Sequence, residues 1–444
     1  MKVYFIFTVG KTIEPIRFSI KKLLEQTQAN RLKAYALASK DSEPIINNII
    51  KEYGIIPEKY IVEDYEDWNE CLKASYNLIS RVIKEWEKER GEIIVDYTGG
   101  TKSMSSALVY ASQHVLPSFK LRYVGGKERD KDGRVISGYE KIRELESFVY
   151  VKLLDVKKYY EAYNLEHAAI ILEDISEETK SSYYETLANF VKALVYRDRF
   201  NYRQASQILN RYKRKMNIFA DKMVFPVEVA NFFEKAVMTI NYVDQIKETV
   251  EFLSKLKNAK NGVEAKKIVD EFNQEEKLTK GFELLIIDFI LNIERRIKRK
   301  QSLEACIAAY RTYELITQYS LIVNHKISPK LTNWDDLSDD VISYFKEKRK
   351  DLPENLDLNN SIILLKYLGD SVVKNLEDKI LKNLQFERNN SLLEHGFSTV
   401  KIEVVERALQ NINVTMAELF KNFHQRKNQL KFPKLTDDVL LIKR

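Results

Sequence analysis

Glycine is unevenly spread along this chain: nine of the 13 glycines fall in residues 1–138, and only Gly262, Gly281, Gly369 and Gly396 follow. Glycine collects where turns are tight or a ligand approaches the backbone, and a helix interior disfavours it by about 1 kcal/mol relative to alanine. The distribution therefore predicts a turn-rich domain followed by a nearly all-helical remainder. At 444 residues the chain exceeds what one core normally holds. Three domains are expected: 1–145, a helical connecting domain over 146–295, and a second helical domain over 296–444.

The first part alternates regularly. Short β-rich runs at 3–7, 34–38, 60–63, 93–96 and 121–124 are separated by helical stretches at 16–26, 44–52 and 68–89. Near-continuous apolar strands alternating with helices indicate a parallel sheet covered on both faces, an α/β Rossmann-like arrangement. After the last strand, glycines at 125, 126, 133 and 138 around Asp132 mark a hairpin with a polar tip. Beyond residue 152 the spacing is helical, and the run Phe282 to Leu291 is apolar nearly all round, as a buried helix would be. Basic clusters at 211–215, 295–300 and 346–350 read as solvated helix faces.

Composition narrows the function classes. The chain is 31% charged with both signs mixed and 11% aromatic, which excludes wholesale disorder and fibrous repeats. Its two cysteines, Cys71 and Cys306, are far apart and lack metal-ligand spacing, so neither a disulfide framework nor a cysteine zinc site is expected. No apolar run approaches the roughly 18 residues of a membrane span. The opening residues read as a first strand, not as a signal peptide, and a cytoplasmic location is expected. The net charge of +7 tilts toward polyanionic partners.

The densest local signal is Asp96-Tyr97-Thr98-Gly99-Gly100-Thr101-Lys102-Ser103-Met104, where a buried strand runs through paired glycines into a helix. Such glycines let backbone N–H groups approach an anion, and the helix N-terminus adds the positive end of its dipole. Thr101 and Ser103 suit a helix cap or a ribose, and Lys102 suits a phosphate. Two further strand ends should reach the same rim: Thr8, Gly10 and Lys11 after the first strand, and Ser39 and Ser42 after the second. Ligands of open parallel sheets sit beyond these carboxyl ends. The glycine spacing fits neither a Walker loop nor a dinucleotide fingerprint.

With the Thr8–Gly10 loop and the strand end at Tyr123, Val124, Gly125 and Gly126, this motif resembles the CARF domain, the CRISPR-associated Rossmann fold. The resemblance covers residues 1–145. It implies a homodimeric sensor of a cyclic oligoadenylate, with the tetra-adenylate favoured over the hexa-adenylate. Slow cleavage of that activator by the sensor, positioned by Thr8, Thr98, Thr101 and Lys102, is a further implication.

Near the C-terminus, Arg388, Asn389 and His395 form an Arg-x(6)-His arrangement. A spacing of seven is about two helical turns, so on one straight helix both side chains would share a face, about 10.5 Å apart along the axis. This pattern resembles the motif of HEPN ribonucleases, in which paired helical domains line one cleft with both arginines and both histidines. The resemblance implies cleavage of single-stranded RNA without metal or other cofactor, with Arg388, Asn389 and His395 as catalytic residues and 2′,3′-cyclic phosphate products. Residues 311–321 would form an earlier helix of the same bundle, with Glu314 as an arginine partner. The competing expectation is a non-enzymatic nucleotide sensor whose helical half binds nucleic acid or a protein partner. The acidic pairs at 63–64, 335–336 and 339–340 read as turn and cap residues rather than metal ligands.

Overall fold

The structure, a computed structural model, describes residues 2–11, 13–116, 119–126, 128, 140–145, 149–271, 275–349, 351–376, 378–391 and 398–441. It divides into two compact units, Met1–Val151 and Lys152–Arg444.

The first unit is built on strands β1 (Lys2–Val9), β2 (Leu32–Ser39), β3 (Glu58–Val62), β4 (Gly91–Asp96), β5 (Lys120–Gly125) and β6 (Lys141–Leu145). Their order across the sheet is β3-β2-β1-β4-β5-β6, parallel except for β6, which pairs antiparallel with β5. Four helices cover it: α1 (Glu14–Gln26), α2 (Glu43–Tyr53), α3 (Trp68–Lys88) and α4 (Lys102–Val115). The period-two alternation of a strand divides β1 between two cores. Val3, Phe5, Phe7 and Val9 pack with Ile16, Ile20, Ile46 and Ile49 of α1 and α2. Tyr4 and Ile6 pack with Leu78, Val82, Met104 and Leu108 of α3 and α4. Both faces of the central strands are therefore buried, which is why they read as unbroken apolar runs. The tip of the β5–β6 hairpin expected from the glycines lies outside the described residues, apart from Gly126, Glu128 and Glu140.

Strand order reverses between β1 and β4: from β1 the chain winds outward through β2 and β3, then returns to β4 and winds the other way. That reversal opens a crevice at the carboxyl ends of these two strands. The Thr8–Gly10 and Thr98–Thr101 turns therefore meet there.

The second unit is helical throughout. It takes in α5 (Val149–Glu161), whose first turn precedes the boundary, α6 (Leu165–Thr179), α7 (Ser182–Asp198), α8 (Tyr202–Phe219) and α9 (Val227–Lys257). There follow α10 (Gly262–Glu271), α11 (Glu275–Lys298), α12 (Ser302–Tyr319), α13 (Asp339–Lys348) and α14 (Leu358–Tyr367). The last are α15 (Asp378–Asn389), α16 (Ile402–Leu419), α17 (Phe423–Leu430) and α18 (Asp437–Leu440). The boundary drawn at 295/296 falls inside α11, and the helical half is one compact unit. Phe282, Leu284, Ile286, Ile287 and Ile290 of α11 are all buried, as the apolar run predicted. Its two polar residues in that core, Glu283 and Asp288, are buried as well; Asp288 accepts from the Arg197 guanidinium at 2.6 and 2.8 Å. A carboxylate this deep persists because a guanidinium and the Tyr202 hydroxyl, 2.9 Å away, satisfy it.

Among the described residues, no helix is long and apolar enough to cross a membrane.

Candidate functional site

At the β1/β4 crevice the two glycine turns touch. The Thr8 hydroxyl donates to the Gly99 carbonyl at 2.6 Å, and the Ser105 hydroxyl donates to the same oxygen at 2.6 Å. A Cβ on Gly99 would sit 2.3 Å from the Thr8 carbonyl oxygen, and one on Gly10 would sit 2.8 Å from the Gly100 nitrogen. Gly100 adopts φ +77°, a left-handed conformation that side chains disfavour. Glycine is thus required here for backbone-on-backbone approach.

Beneath the turn lies a buried polar network. Asp96 ends β4 and accepts from the Ser19 hydroxyl, the Thr98 hydroxyl and the Thr98 amide, the last at 2.9 Å. Burial pushes its carboxyl above the ordinary range, against the opposing pull of those donors and of the Arg122 charge. Thr98 in turn accepts from the Val124 amide at 2.8 Å, tying the β4 turn to the end of β5 beside Gly125 and Gly126. The rings of Tyr97 and Tyr123 stack 5.4 Å apart above this junction.

The first turn of α4 presents a helix N-terminus at the crevice. Thr101 is its N-cap: the hydroxyl accepts from the Met104 amide at 3.2 Å and donates to the Tyr65 carbonyl at 2.7 Å. Ser103 donates to the Glu66 carbonyl at 3.0 Å. The hydroxyls singled out in the sequence are therefore largely occupied in bracing the loop. What remains for an anion is the backbone: among the described residues, the amides of Gly99, Gly100, Lys102 and Ser103 donate to no protein acceptor. With the helix dipole behind them, these donors suit a phosphate or ribose edge. Lys11 and Lys102 are exposed on the same rim.

Ser39 and Ser42 are placed otherwise than expected. Both are buried, and their hydroxyls lie 3.0 Å from each other; the Ser42 hydroxyl also accepts from the Ser39 amide at 2.9 Å. They hold the β2–α2 turn closed and direct nothing outward.

In the helical unit, Arg388 lies in the last turn of α15 with its guanidinium over the Tyr310 ring of α12, 4.5 Å from the centroid. Such stacking holds a guanidinium in place, and the Tyr310 hydroxyl also accepts a hydrogen bond from Arg388. Glu387 beside it is buried and accepts from the Lys401 amide at 3.0 Å, which joins the end of α15 to the start of α16. Asn389 is exposed. Arg311 and Glu314 pair with each other along α12 at 2.8 Å.

His395 lies outside the described residues. Helix α15 ends at Asn389, the Ser391 amide turns back to the Arg388 carbonyl at 3.1 Å, and Ser391 and Ser398 form a backbone bridge. The Ser398 amide and hydroxyl both donate to the Asn390 carbonyl, at 3.1 and 2.8 Å. Among the described residues the helix carrying Arg388 therefore stops at Asn389, whereas the sequence spacing treats it as running on. Asn389, Asn390 and Ser391 are residues whose side chains compete for backbone hydrogen bonds and favour helix ends.

Three functional-looking residues escaped the sequence reading: Ser19, Arg122 and Tyr310. Arg122 carries a signal, as a cation in the middle of strand β5 between Leu121 and Tyr123; Ser19 and Tyr310 carry none, because their roles depend on partners more than 75 positions away.

Residues 274–419 match the family described as the Csm6 HEPN domain. By structure, the chain is similar to Csm6 from Enterococcus italicus, solved bound to cyclic hexa-2′-fluoro-hexa-dAMP: TM-score 0.55, 11% identity, covering 97% of this chain and 99% of that one. No curated protein matches the sequence. Residues 274–419 thus carry a HEPN domain of the Csm6 type, and the fold of the chain as a whole, a Rossmann-like sheet followed by a helical half, is that of Csm6.

Proposed function

We propose that the protein is a ribonuclease switched on by a cyclic oligoadenylate, acting as a homodimer on single-stranded RNA. The observation that carries the reading is the pairing of a glycine-lined, amide-rich crevice at the β1/β4 reversal with a HEPN domain of the Csm6 type. A ring of repeated adenylates has its own symmetry, and an isologous dimer would offer the same turns to each half of it. The similar Enterococcus italicus structure holds a six-membered cyclic ligand; the tetra-adenylate favoured from sequence and the hexa-adenylate are tested side by side.

The proposed chemistry needs no metal. RNA supplies its own nucleophile, the 2′-hydroxyl, and cleavage then requires proton transfer and stabilisation of charge on the phosphate. Arg388 would face that charge with its planar fork, Asn389 would add a hydrogen bond, and His395 would move the proton near neutral pH. The products would be a 2′,3′-cyclic phosphate and a 5′-hydroxyl. Slow cleavage of the ring in the sensor is a second proposed activity; Thr8, Thr98 and Thr101 would act there by holding backbone amides in place.

Labelled single-stranded RNA incubated with and without each synthetic ring tests the reading. Ring-dependent cutting that disappears in His395→Ala supports it; cutting that ignores the ring, or that survives in His395→Ala, rejects it.

A further inference from the structure

The helical unit holds a second concentration of positive charge, away from the Arg388 end of α15. Four guanidiniums, those of Arg197, Arg295, Arg296 and Arg299, are met by two carboxylates. Arg197 binds Asp288 at 2.6 Å, while Arg295, Arg296 and Arg299 converge on Asp198 at 2.7, 3.3 and 3.5 Å. Arg197 and Arg295 are buried, and both stack on Phe432, at 5.2 and 4.3 Å from its ring centre. Among the described residues this cluster has two more guanidiniums than carboxylates, the surplus falling on the partly exposed Arg296 and Arg299, so it is electropositive toward an incoming anion.

A cavity of about 760 Å³ opens beside this cluster, lined by Arg295 together with Lys157, Lys298, Lys431 and Lys434. Arg295 is 4% exposed, and its Nη2 has no hydrogen-bond partner; nor has the buried Oγ1 of Thr436 on the same lining. Four carboxylates also line the cavity, but Asp437 is taken by Lys157 at 2.9 Å and Glu294 by Lys427 at 2.7 Å. Glu161 and Asp438 remain, both exposed to solvent. The far wall, the segment from Lys431 to Leu440, is held firmly: the Tyr160 hydroxyl donates to the Pro433 carbonyl at 2.8 Å and the Tyr184 hydroxyl to the Leu440 carbonyl at 3.0 Å. The volume is that of a single small ligand and too confined for a polymer.

The geometry points to a second anion site in this cavity, one that takes a phosphate-bearing ligand of mononucleotide size on Arg295, Lys298, Lys434 and Thr436. The phosphate would meet the unpaired Arg295 Nη2 and the Thr436 hydroxyl and offset the excess charge around Asp198. Lys298 and Lys434, both exposed, would close over it from the rim.

Titration calorimetry on the full chain, with inorganic phosphate and with AMP, tests this. Wild type should bind both, and the variant carrying Lys298→Ala and Lys434→Ala should bind them at least tenfold more weakly. Lys51→Ala, at an exposed lysine of α2 that belongs to neither site, should leave this binding unchanged. Binding that is lost in Lys102→Ala but intact in the double variant overturns the proposal, as does heat no greater than that of matched sodium chloride. A single-stranded RNA that binds in a Lys298- and Lys434-dependent way while AMP does not would also overturn it, in favour of a polymer surface. Because RNA cutting is not the readout, the result stands apart from the ribonuclease proposal.

Discussion

The hydroxyl of Thr8, at the end of β1, is bonded to the carbonyl of Gly99, beyond the end of β4, across 2.6 Å. The two halves of the sheet part at this point, and the bond closes the floor of the crevice between them. Thr8→Val keeps the shape and removes the donor. The Gly99 carbonyl retains Ser105, so the expected loss of stability is modest, about 1 kcal/mol. Ring affinity should fall further than stability, since the free amides of Gly99 and Gly100 are set by this bond. Denaturant titration together with calorimetry on the same variant separates the two effects.

Gly99→Ala is a harsher probe. Its Cβ would lie 2.3 Å from the Thr8 carbonyl oxygen, a separation no real Cβ adopts, so the turns must part. Ring binding should drop at least tenfold. Gly54→Ala is the matched control: it has the left-handed φ of +63° but nothing within 4 Å of a Cβ. It should cost about 1 kcal/mol of stability and leave ring affinity untouched. Equal loss of ring affinity in both variants would show that the crevice is not the binding site.

How far this protein is legible from sequence differs between its units. The sheet is readable because apolar runs, caps and paired glycines are local signals; of the two residues suited to cap the helix, Thr101 is the N-cap of α4. The crevice is legible through its glycines, whereas Ser39 and Ser42, which the pattern also puts at the ligand rim, are buried and satisfy each other. The support from Ser19 and Arg122 under Asp96 arises from tertiary approach and has no local pattern. In the helical unit the spacing from Arg388 onward assumes a continuing helix, but periodicity says nothing about where a helix ends, and α15 stops at Asn389. The basic run 295–300 was read as a solvated face, yet Arg295 is buried against Asp198. A cation is buried only where partners distant in sequence meet it, and Asp198 lies 97 residues away.

Asp370 predicts a pH dependence. Burial works to raise its pKa, but the hydroxyl of Ser320, the Val372 amide, His325 and Asn324 outweigh it and hold the carboxyl below its ordinary value. His325 Nε2 lies 2.8 Å from the carboxylate. A carboxyl depressed in the folded state stabilises fully above its unfolded pKa, and that stabilisation is lost as pH falls through the folded value. Asp370→Asn should therefore lower stability at neutral pH, by about 1–3 kcal/mol, and flatten the acid limb of the stability curve. Denaturant melts across pH 2–7, an interval set by the ordinary carboxyl range, supply the comparison. An unchanged acid limb would mean that Asp370 is not ionised in the folded protein.

The two thiols are expected to be inert. Burial pushes Cys71 up to about 11 and Cys306 up to about 12, so at pH 8 neither supplies thiolate. A chromogenic disulfide should label neither in the native protein and both after unfolding. Rapid labelling of Cys306 under native conditions would reveal local opening between α12 and α15, since its thiol rests 3.8 Å from the Leu384 carbonyl.

The stacking of Arg388 on Tyr310 separates charge from placement. If Arg388 stabilises negative charge on a phosphate, Arg388→Ala should lower ring-stimulated RNA cutting by about 10²–10³-fold, the usual effect of removing one transition-state donor. Arg388→Lys keeps the charge but loses the planar fork and the favourable stack, and should recover little. Tyr310→Leu leaves the guanidinium in place without its support, so it should cut more slowly than wild type but faster than Arg388→Ala. Tyr310→Phe keeps the ring face but loses the hydroxyl bond to Arg388, so its rate should fall between that of Tyr310→Leu and wild type. All four variants should bind the activating ring normally, because the ring site is proposed at the glycine crevice of the sheet domain. Single-turnover cleavage at saturating ring gives the order of rates. Were Tyr310→Leu as inactive as Arg388→Ala while still folded, the ring face would be more than a platform, and Tyr310 itself would have to contact the substrate.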